Sequence, residues 1–258
     1  MKPFFRRGLL VMLLLLPFLT QAQLRFDVEG GLVLGTNYNE VRIPAAGGTL
    51  FDLGKELKAD PKVYYRLRLG YTFGERHTVS ALYAPLTVNY TGKLTRDINF
   101  NGVTFGPRGV GNPESVLARY RFNSYRLTYR YDFVYTPKWR VGAGLTAKIR
   151  DAFIEVHTNE PFASSIRQTR YDNVGFVPLL NFVATWQPTP KFWTMLEADA
   201  LASRQGRAED VFLGVGYQLN PFVAIKGGYR VVEGGADNDK IYNFTWINYA
   251  ALGVVVAF

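Results

Sequence analysis

Apolar and polar residues alternate with a period of two along most of this chain. Between Tyr125 and Tyr135 every odd position is Tyr, Leu or Phe, whereas the even positions from Arg126 to Asp132 carry Arg, Thr or Asp. Residues 62–73 repeat the pattern. Because successive side chains of a strand point to opposite faces, this alternation predicts β-strands with one apolar face and one polar face.

The same template predicts ten strands. We place them near residues 24–36, 62–73, 78–90, 121–135, 140–156, 174–186, 191–202, 210–219, 222–232 and 244–258. Four connections are tight turns, and the others are longer loops near 37–61, 91–120, 157–173, 203–209 and 233–243. Pro85 and Pro178 lie inside predicted strands, and we expect bulges there because proline cannot donate to the ladder.

The strands of this sequence suit a membrane better than a soluble fold. Hydrophobic residues make up 48% of the chain, yet no stretch after residue 22 is long and apolar enough for a membrane helix. Aromatic residues reach 15%, which is typical of barrels with aromatic girdles at both membrane interfaces. A soluble β-sandwich or lipocalin-like barrel stays an alternative. The pattern favours an all-β, transmembrane, antiparallel up-and-down barrel.

The first 22 residues have the pattern of a secretory signal peptide. Lys2, Arg6 and Arg7 precede an apolar run over 9–16, and small residues lead to Ala22. A membrane anchor would need about twenty apolar residues, and Pro17 interrupts the run too early. We therefore expect cleavage near Ala22 and a single barrel domain over 23–258.

The last strand alternates from Trp246 onward and ends on the aromatic Phe258. This ending resembles the assembly signal of bacterial outer-membrane β-barrel proteins. The resemblance implies location in the cell outer membrane, contact with its lipid, and recognition of the final strand by the barrel assembly machinery. It also implies short periplasmic turns, long extracellular loops and, with an even strand number, both termini in the periplasm.

Composition narrows the chemistry. The chain has no cysteine and only two histidines, so disulfides, thiol catalysis and histidine metal clusters are excluded, and we predict no metal and no cofactor. Removal of the signal peptide takes away three of 30 basic residues and none of the 21 acidic ones, which leaves a net charge of about +6. No basic run reaches five residues, and we predict no nucleic-acid partner.

The inward faces of the predicted strands carry ten cations and five anions. They are Arg25, Asp27, Glu29, Lys62, Arg66, Arg68, Arg126, Arg130, Asp132, Lys148, Arg150, Glu197, Asp199, Lys226 and Arg230. Barrels of about eight strands are filled by their own side chains, whereas open channels need about sixteen strands. We expect a mostly plugged lumen, with room for long side chains left by inward glycines at 142, 144, 214, 216 and 228.

Two interpretations of these charges stay open. In the first, Asp27 and Glu29 pair with the arginines at 66 and 68 on the neighbouring strand, and the lumen is salt-bridged and closed. In the second, Arg126, Arg130, Lys148 and Arg150 have only Asp132 close by and line a narrow, anion-preferring path.

A third hypothesis is a hydrolase at the loop rim that uses His157. The omptin proteases resemble this chain in strand number and need an acidic pair and a His–Asp pair at the rim. Here Thr158 follows the histidine, and the nearby acids form no recognisable pairing: Asp151, Glu155, Glu160 and Asp172. A serine esterase would use Ser164 or Ser165 of the same loop.

The long loop 91–120 contains Asn101-Gly102 between two short alternating runs, which is a strong hairpin signal. We expect the hairpin to extend the barrel wall; the alternative is that it caps the pore or presents a contact surface. We regard loops 91–120 and 37–61 as the places for an extracellular ligand or partner. The leading prediction is a non-enzymatic integral outer-membrane protein with a structural, binding or interaction role.

Overall fold

The computed structural model describes residues 23–107, 109, 111–159 and 166–258. The predicted signal peptide, Glu160, Ser164 and Ser165 lie outside these ranges. The described elements are β1 (Gln23–Arg42), β2 (Phe51–Asp52), α1 (Leu53–Glu56), β3 (Lys58–Ala59), β4 (Lys62–Phe73), β5 (His77–Ala84), β6 (Thr87–Leu94), β7 (Ile98–Phe100), β8 (Val103–Phe105), β9 (Glu114–Tyr135), β10 (Trp139–Thr158), β11 (Gln168–Trp186), β12 (Phe192–Ser203), β13 (Gly206–Gln218), β14 (Val223–Asp237) and β15 (Tyr242–Ala257). In the part described, no helix is long and apolar enough to span a membrane.

The strands close into an antiparallel barrel with ten positions in its wall. We call each position a stave, whether one strand or two strands in line occupy it. The order runs from β10 through β11, β12, β13, β14, β15, β1, β4 and β5 to β9, and β9 pairs with β10 to close the ring. β6 continues the stave of β5 along β9. The predicted ten-stranded barrel is confirmed. We call the end with tight turns at 74–76, 136–138, 187–191 and 219–222 the turn end, and the opposite end the loop end.

All five connections at the loop end are shorter than predicted, and two of them are short turns. Only Arg204 and Gln205 separate β12 from β13, and four residues separate β14 from β15. The prediction of loops over 203–209 and 233–243 is wrong because the ladders continue where the apolar alternation stops. Outward polar residues replace apolar ones there, and Arg207 of β13 forms an ion pair with Glu233 of β14.

Neither internal proline forms the expected bulge. Pro85 interrupts the ladder between β5 and β6, but both strands keep one register on β9, and the Leu86 N–H donates to Asn123 Oδ1 at 3.1 Å instead. Pro178 lies in β11 without a register shift, and the ladder from β11 to β12 begins only at Leu180. At Pro85 a side chain accommodates the missing N–H group, and at Pro178 the end of the ladder to β12 does so.

The outer face of the barrel wall is apolar and the inner face is charged, which is the reverse of a soluble barrel. Large apolar side chains point outward and are exposed, among them Leu127 at 58%, Leu145 at 65% and Phe176 at 68%. Charged side chains point inward and are buried, including Arg230 at 2%. Soluble barrels bury apolar residues inside, whereas a barrel in lipid turns them outward.

Segments between the strands fold into the mouth of the barrel at the loop end and form an apolar core. β7 and β8 form a two-stranded hairpin apart from the barrel sheet, and Phe100 and Phe105 on it are fully buried. The Asn101 side-chain amide at its tip donates to Thr169 Oγ1 at 2.9 Å. The prediction that this hairpin extends the wall is wrong: its aromatic rings are buried more completely when it folds inward as a cap.

One edge of the wall is open. β11 pairs with β10 from Trp186 to Gln168, but with β12 only from Trp186 to Leu180. No described strand pairs with the other edge of residues 168–179. The β12–β13 hairpin ends below this stretch, which leaves a notch in the loop end.

Candidate functional site: a buried ionic network and its two ends

The centre of the barrel holds a network of ion pairs built from six staves. Its carboxylates come from β1, β12 and β13, and its cations from β4, β9 and β14. The members are Asp27, Glu29, Glu197, Asp199, Asp210, Arg66, Arg68, Arg126, Lys226 and Arg230. Five carboxylates face five cations. We call this set the central network.

Asp210 is the hub of the central network. Its carboxylate accepts hydrogen bonds from Arg230 Nη1 at 2.5 Å, from Arg126 Nη2 at 2.7 Å and from Arg66 Nη2 at 2.9 Å. These arginines extend from three different staves, and all four side chains are buried. Because buried charges are stabilised only when they are paired and hydrogen-bonded, this one carboxylate contributes to the stability of all three guanidinium groups.

Glu29 is the second branch point. Arg230 donates to it through Nε at 2.8 Å and Nη2 at 2.9 Å, which is the two-point geometry that a guanidinium forms with a carboxylate. Lys226 Nζ lies 3.0 Å from Glu29 and 2.8 Å from Asp27, and it links the two carboxylates of β1. Arg66 Nε is more distant, at 3.8 Å from Glu29.

The remaining members join the network to β12. Arg126 Nη1 donates to Asp199 at 2.7 Å, and Thr146 and Asn181 donate to the same carboxylate. Arg68 Nη1 lies 2.5 Å from Glu197. The pairs therefore cross the lumen more often than they join neighbouring strands. The pairs that join β4 or β9 to β12 or β13 tie opposite walls together and fill the space between them.

The predicted partners of several charges were wrong. Asp27 pairs with Lys226 rather than with Arg66 or Arg68, and Arg126 lies against Asp199 and Asp210 rather than near Asp132. The prediction considered only adjacent strands, whereas long side chains in a lumen only ten strands wide also reach strands that are two or more positions away around the barrel.

Two of the five inward glycines make room for aromatic rings. An added Cβ at Gly214 would lie 2.3 Å from the Phe212 ring, and one at Gly216 would lie 2.0 Å from the ring of Trp193. Phe212 is fully buried, and Lys226 and Arg230 lie over it at 5.2 and 4.9 Å from the ring centre. Cations thus stack on an aromatic face within the network.

A separate cluster lies toward the turn end. Arg130 Nε lies 2.7 Å and Arg140 Nε lies 2.5 Å from the carboxylate of Asp132, which is fully buried. An added Cβ at Gly142 would lie 2.2 Å from Asp132 Oδ1, so glycine is needed where this carboxylate crosses β10. Two arginines share one acid, which leaves one positive charge in excess.

The lumen next to this cluster is open to solvent at the turn end. A cavity of about 630 Å³ is lined by residues of the tight turns and by Arg25 and Arg140. A smaller inner cavity of about 80 Å³ shares residues with it and reaches Arg68, Arg130 and Glu197 at the edge of the central network. We call the two cavities together the vestibule.

Lys148 and Arg150 lie on the other side of the network, toward the loop end. Lys148 is buried, and its Nζ lies 4.8 Å from the centre of the Phe122 ring. Within the described ranges, neither cation has a carboxylate oxygen within 4 Å. These two predicted lumen charges are therefore not brought into the ion-pair network. Lys62, also predicted inward, is exposed at the start of β4.

Above them, Glu114 anchors the cap. Burial raises the pKa of this carboxyl, but hydrogen bonds from the Gly106 N–H at 2.7 Å, Arg167 at 2.6 Å and Thr158 at 2.9 Å outweigh burial and hold the pKa below its ordinary value. The carboxylate ties the start of β9 to the end of β10 and to the residues that follow β8 and precede β11. The cap is therefore held in place by charged contacts as well as by apolar packing.

Sequence reasoning missed two functional positions, Asp210 and Arg140. Each is the first residue of a predicted strand. Asp210 lies on the same strand face as the inward glycines 214 and 216, and Arg140 lies on the same face as the inward glycine 142. Counting back two residues at a time from those glycines would have found both.

His157 lies on the outer face of β10 near the loop end. Its Nδ1 is 3.2 Å from the carbonyl oxygen of Thr158, and no carboxylate oxygen of the described ranges lies within 4 Å of its ring nitrogens. Phe258 lies at the turn end, where its backbone exchanges hydrogen bonds with Leu24, and its ring stacks on Phe222. Its role as an assembly signal stays a prediction.

The sequence matches no protein-family model and no curated relative. Among solved structures, the outer membrane protease OmpT from Escherichia coli is similar with a TM-score of 0.53 at 11% identity, over 92% of this chain and 97% of that one. The attachment invasion locus protein of Yersinia pestis gives 0.35 at 10% identity, over 92% and 99%. An outer membrane channel from Pseudomonas putida F1 gives 0.40 at 9% identity, over 92% and 96%. The first likeness shows the fold alone, and by it this chain has the fold of an outer-membrane β-barrel protein.

Proposed function

We propose that this protein is a non-enzymatic integral outer-membrane protein whose barrel is closed to solutes and whose role is structural, binding or interaction rather than passive transport. The observation that carries the proposal is the central network, because ten charged side chains from six staves fill the middle of the lumen. The exposed apolar outer wall supports its placement in lipid.

The closed state follows from the energetics of paired buried charges. A solute that passed the middle of the barrel would have to separate Arg230 from Glu29 and Arg126 from Asp210, and breaking one buried pair costs about 3–5 kcal/mol. The apolar cap at the loop end, with Phe100 and Phe105 in its core, adds a second barrier.

The orientation that we propose puts the turn end in the periplasm and the loop end outside the cell. Short turns at one end and longer segments at the other support it. The final strand pairs with β1 along its whole length, and Phe258 lies at the turn end. In this orientation the barrel assembly machinery would reach the final strand from the periplasm.

A narrow anion-preferring porin is the second candidate. It is favoured by Arg25, Lys148 and Arg150, for which the described residues provide no ion pair. Together with the pair around Asp132 they leave the lumen positive, and a positive lining would select anions. For a hydrolase, the outward position of His157 offers no support.

Planar-bilayer recording of the refolded protein separates the two candidates. The closed barrel should give no unitary conductance, and Lys148→Ala should remain silent as well. A matched control is Lys55→Ala, since Lys55 is exposed on α1 at the loop end. Steady anion-selective openings of the wild type that lose selectivity in Lys148→Ala, but not in Lys55→Ala, would overturn the proposal in favour of the porin.

A further inference from the structure

The vestibule has the size and position of a binding site rather than of an unfilled interior. Its outer part measures about 630 Å³, within the range of about 300–1,000 Å³ for small-molecule sites. Its inner end stops at Arg68 and Glu197, which belong to the central network. It is therefore a blind cavity that opens only at the turn end.

The charges that line the vestibule do not balance. Glu197 is taken by Arg68, and Asp27 is taken by Lys226. Arg130 and Arg140 share the single carboxylate of Asp132. Arg25 lines both cavities, and no carboxylate oxygen in the described part of the chain lies within 4 Å of its guanidinium. Two positive charges are left over.

The neighbouring side chains leave the Arg25 guanidinium accessible, whereas Arg140 donates Nη2 to the Glu75 carbonyl oxygen at 2.7 Å and pairs through Nε with Asp132, which leaves Nη1 for a ligand. Gly70 lies opposite Arg25 on β4, and Ser80 and Thr128 present only short side chains to the inner cavity. A guanidinium group carries its N–H donors in a fixed fork that fits a carboxylate or phosphate at two points. Because the cavity is closed on one side by protein, the field of the surplus charges is focused toward its mouth.

The mouth adds a surface for the uncharged part of a ligand. Trp139, Trp193 and Phe222 line it, together with the amide side chains of Gln187 and Gln218. Aromatic faces and amides bind rings and hydroxyl groups, whereas the arginines deeper in the cavity bind an anionic group. The arrangement therefore places apolar and polar contacts outside and charge contacts inside.

We infer that the vestibule is a binding site for a small organic molecule that bears carboxylate or phosphate groups and enters from the turn end. Arg25 and Arg140 bind the anionic group, and Trp193 packs against the rest of the molecule. The inference that the ligand comes from the periplasm rests on the proposed function, whereas the inference of the binding site itself does not.

Isothermal titration of the refolded full chain in detergent tests this inference, with citrate and pyrophosphate as probes. Both should bind, and Arg25→Gln should weaken binding by about tenfold, which is the effect of losing one charge-assisted hydrogen bond. Arg25→Lys should recover part of the loss. Raising the ionic strength from about 0.01 M to about 0.1 M should weaken binding, because the Debye length falls from about 30 to about 10 Å.

Arg204→Gln is the matched control, since Arg204 is an exposed arginine in the turn between β12 and β13 at the opposite end. Arg140→Gln provides a second test, and unchanged heat-dependent gel mobility shows that each variant is folded. Binding should also quench tryptophan fluorescence, and the quenching should be reduced in Trp193→Phe.

Absence of binding at millimolar probe concentration would overturn the inference. So would binding that Arg25→Gln and Arg140→Gln leave unchanged, or binding that Arg204→Gln weakens to the same extent. Failure here is distinct from failure of the proposed function. A silent bilayer without citrate binding refutes the site alone, whereas an open channel that still binds citrate refutes the closed barrel alone.

Discussion

Replacement of Asp210 by asparagine removes the charge at the hub of the central network with little change in shape. The three guanidinium groups at 2.5, 2.7 and 2.9 Å lose their shared carboxylate, and the balance of five carboxylates and five cations becomes one positive charge in excess. Arg126 keeps Asp199 and Arg230 keeps Glu29, but Arg66 is left with Glu29 at 3.8 Å.

The size of the effect follows from this geometry. Removing one partner of a buried ion pair destabilises a protein by about 3–5 kcal/mol, because the other charge stays buried without compensation. Two of the three arginines keep a second carboxylate, so we expect the lower half of that range, about 3–4 kcal/mol. At about 1–3 kcal/mol per M of urea, the unfolding midpoint should fall by at least about 1 M.

Urea unfolding of the refolded protein, followed by tryptophan fluorescence, measures the change. Asp239→Asn is the control, because Asp239 is exposed in the connection between β14 and β15, and it should change stability by less than about 0.5 kcal/mol. Adding Arg126→Met to Asp210→Asn restores neutrality, so the double variant should be less destabilised than the sum of the two single changes. A loss below about 1 kcal/mol for Asp210→Asn, or strict additivity with Arg126→Met, would refute the reasoning.

Three further predictions concern the loop end. Glu114→Gln should lower the free energy of unfolding by about 1.5–3 kcal/mol near neutral pH. Because the folded-state pKa of Glu114 is depressed, its contribution to stability is present above about pH 4.3 and is lost as the pH falls through that pKa. A variant whose stability depends on pH in the same way as that of the wild type would contradict this prediction. Phe100→Ala should cost about 3–5 kcal/mol in the same urea assay because the ring is fully buried in the cap, and a cost below about 1 kcal/mol would mean that the hairpin is not packed inside. In hydrogen–deuterium exchange, the amides of residues 169–177 that face the open edge of β11 should exchange quickly while those that face β10 stay protected, and uniform protection would show that another segment covers the edge.

The two ends of the lumen have different characters, and the central network separates them. Toward the loop end, the interior is apolar and densely packed around rings such as Phe100. Toward the turn end, it is open, polar and rich in arginine. A closed barrel with one open end is suited to binding on that side, and this is why the vestibule rather than a pore is the place that we propose for a ligand.

Alternation along the sequence was sufficient to predict the barrel. Nine of the ten predicted strands occur as single strands and the tenth as β5 and β6, because a period of two is a local property that neighbouring residues determine together. The inward face of each strand followed from the same period, and so fifteen charges, from Arg25 to Arg230, could be named as candidates for the lumen. The alternation failed to place the strand ends at the loop end, most clearly at 203–209 and 233–243, where the outer face turns polar.

Only the tertiary structure decided which charges meet. The pairing of Asp210 with Arg66 joins residues 144 positions apart, and the pairing of Glu29 with Arg230 joins residues 201 positions apart. Such contacts depend on how ten staves close and tilt, which no local pattern encodes. For the same reason, the inward fold of the Phe100 hairpin and the isolation of Arg25 could not be derived from the sequence: burial is set by what the rest of the chain leaves empty, whereas alternation records only which side of a strand a residue occupies.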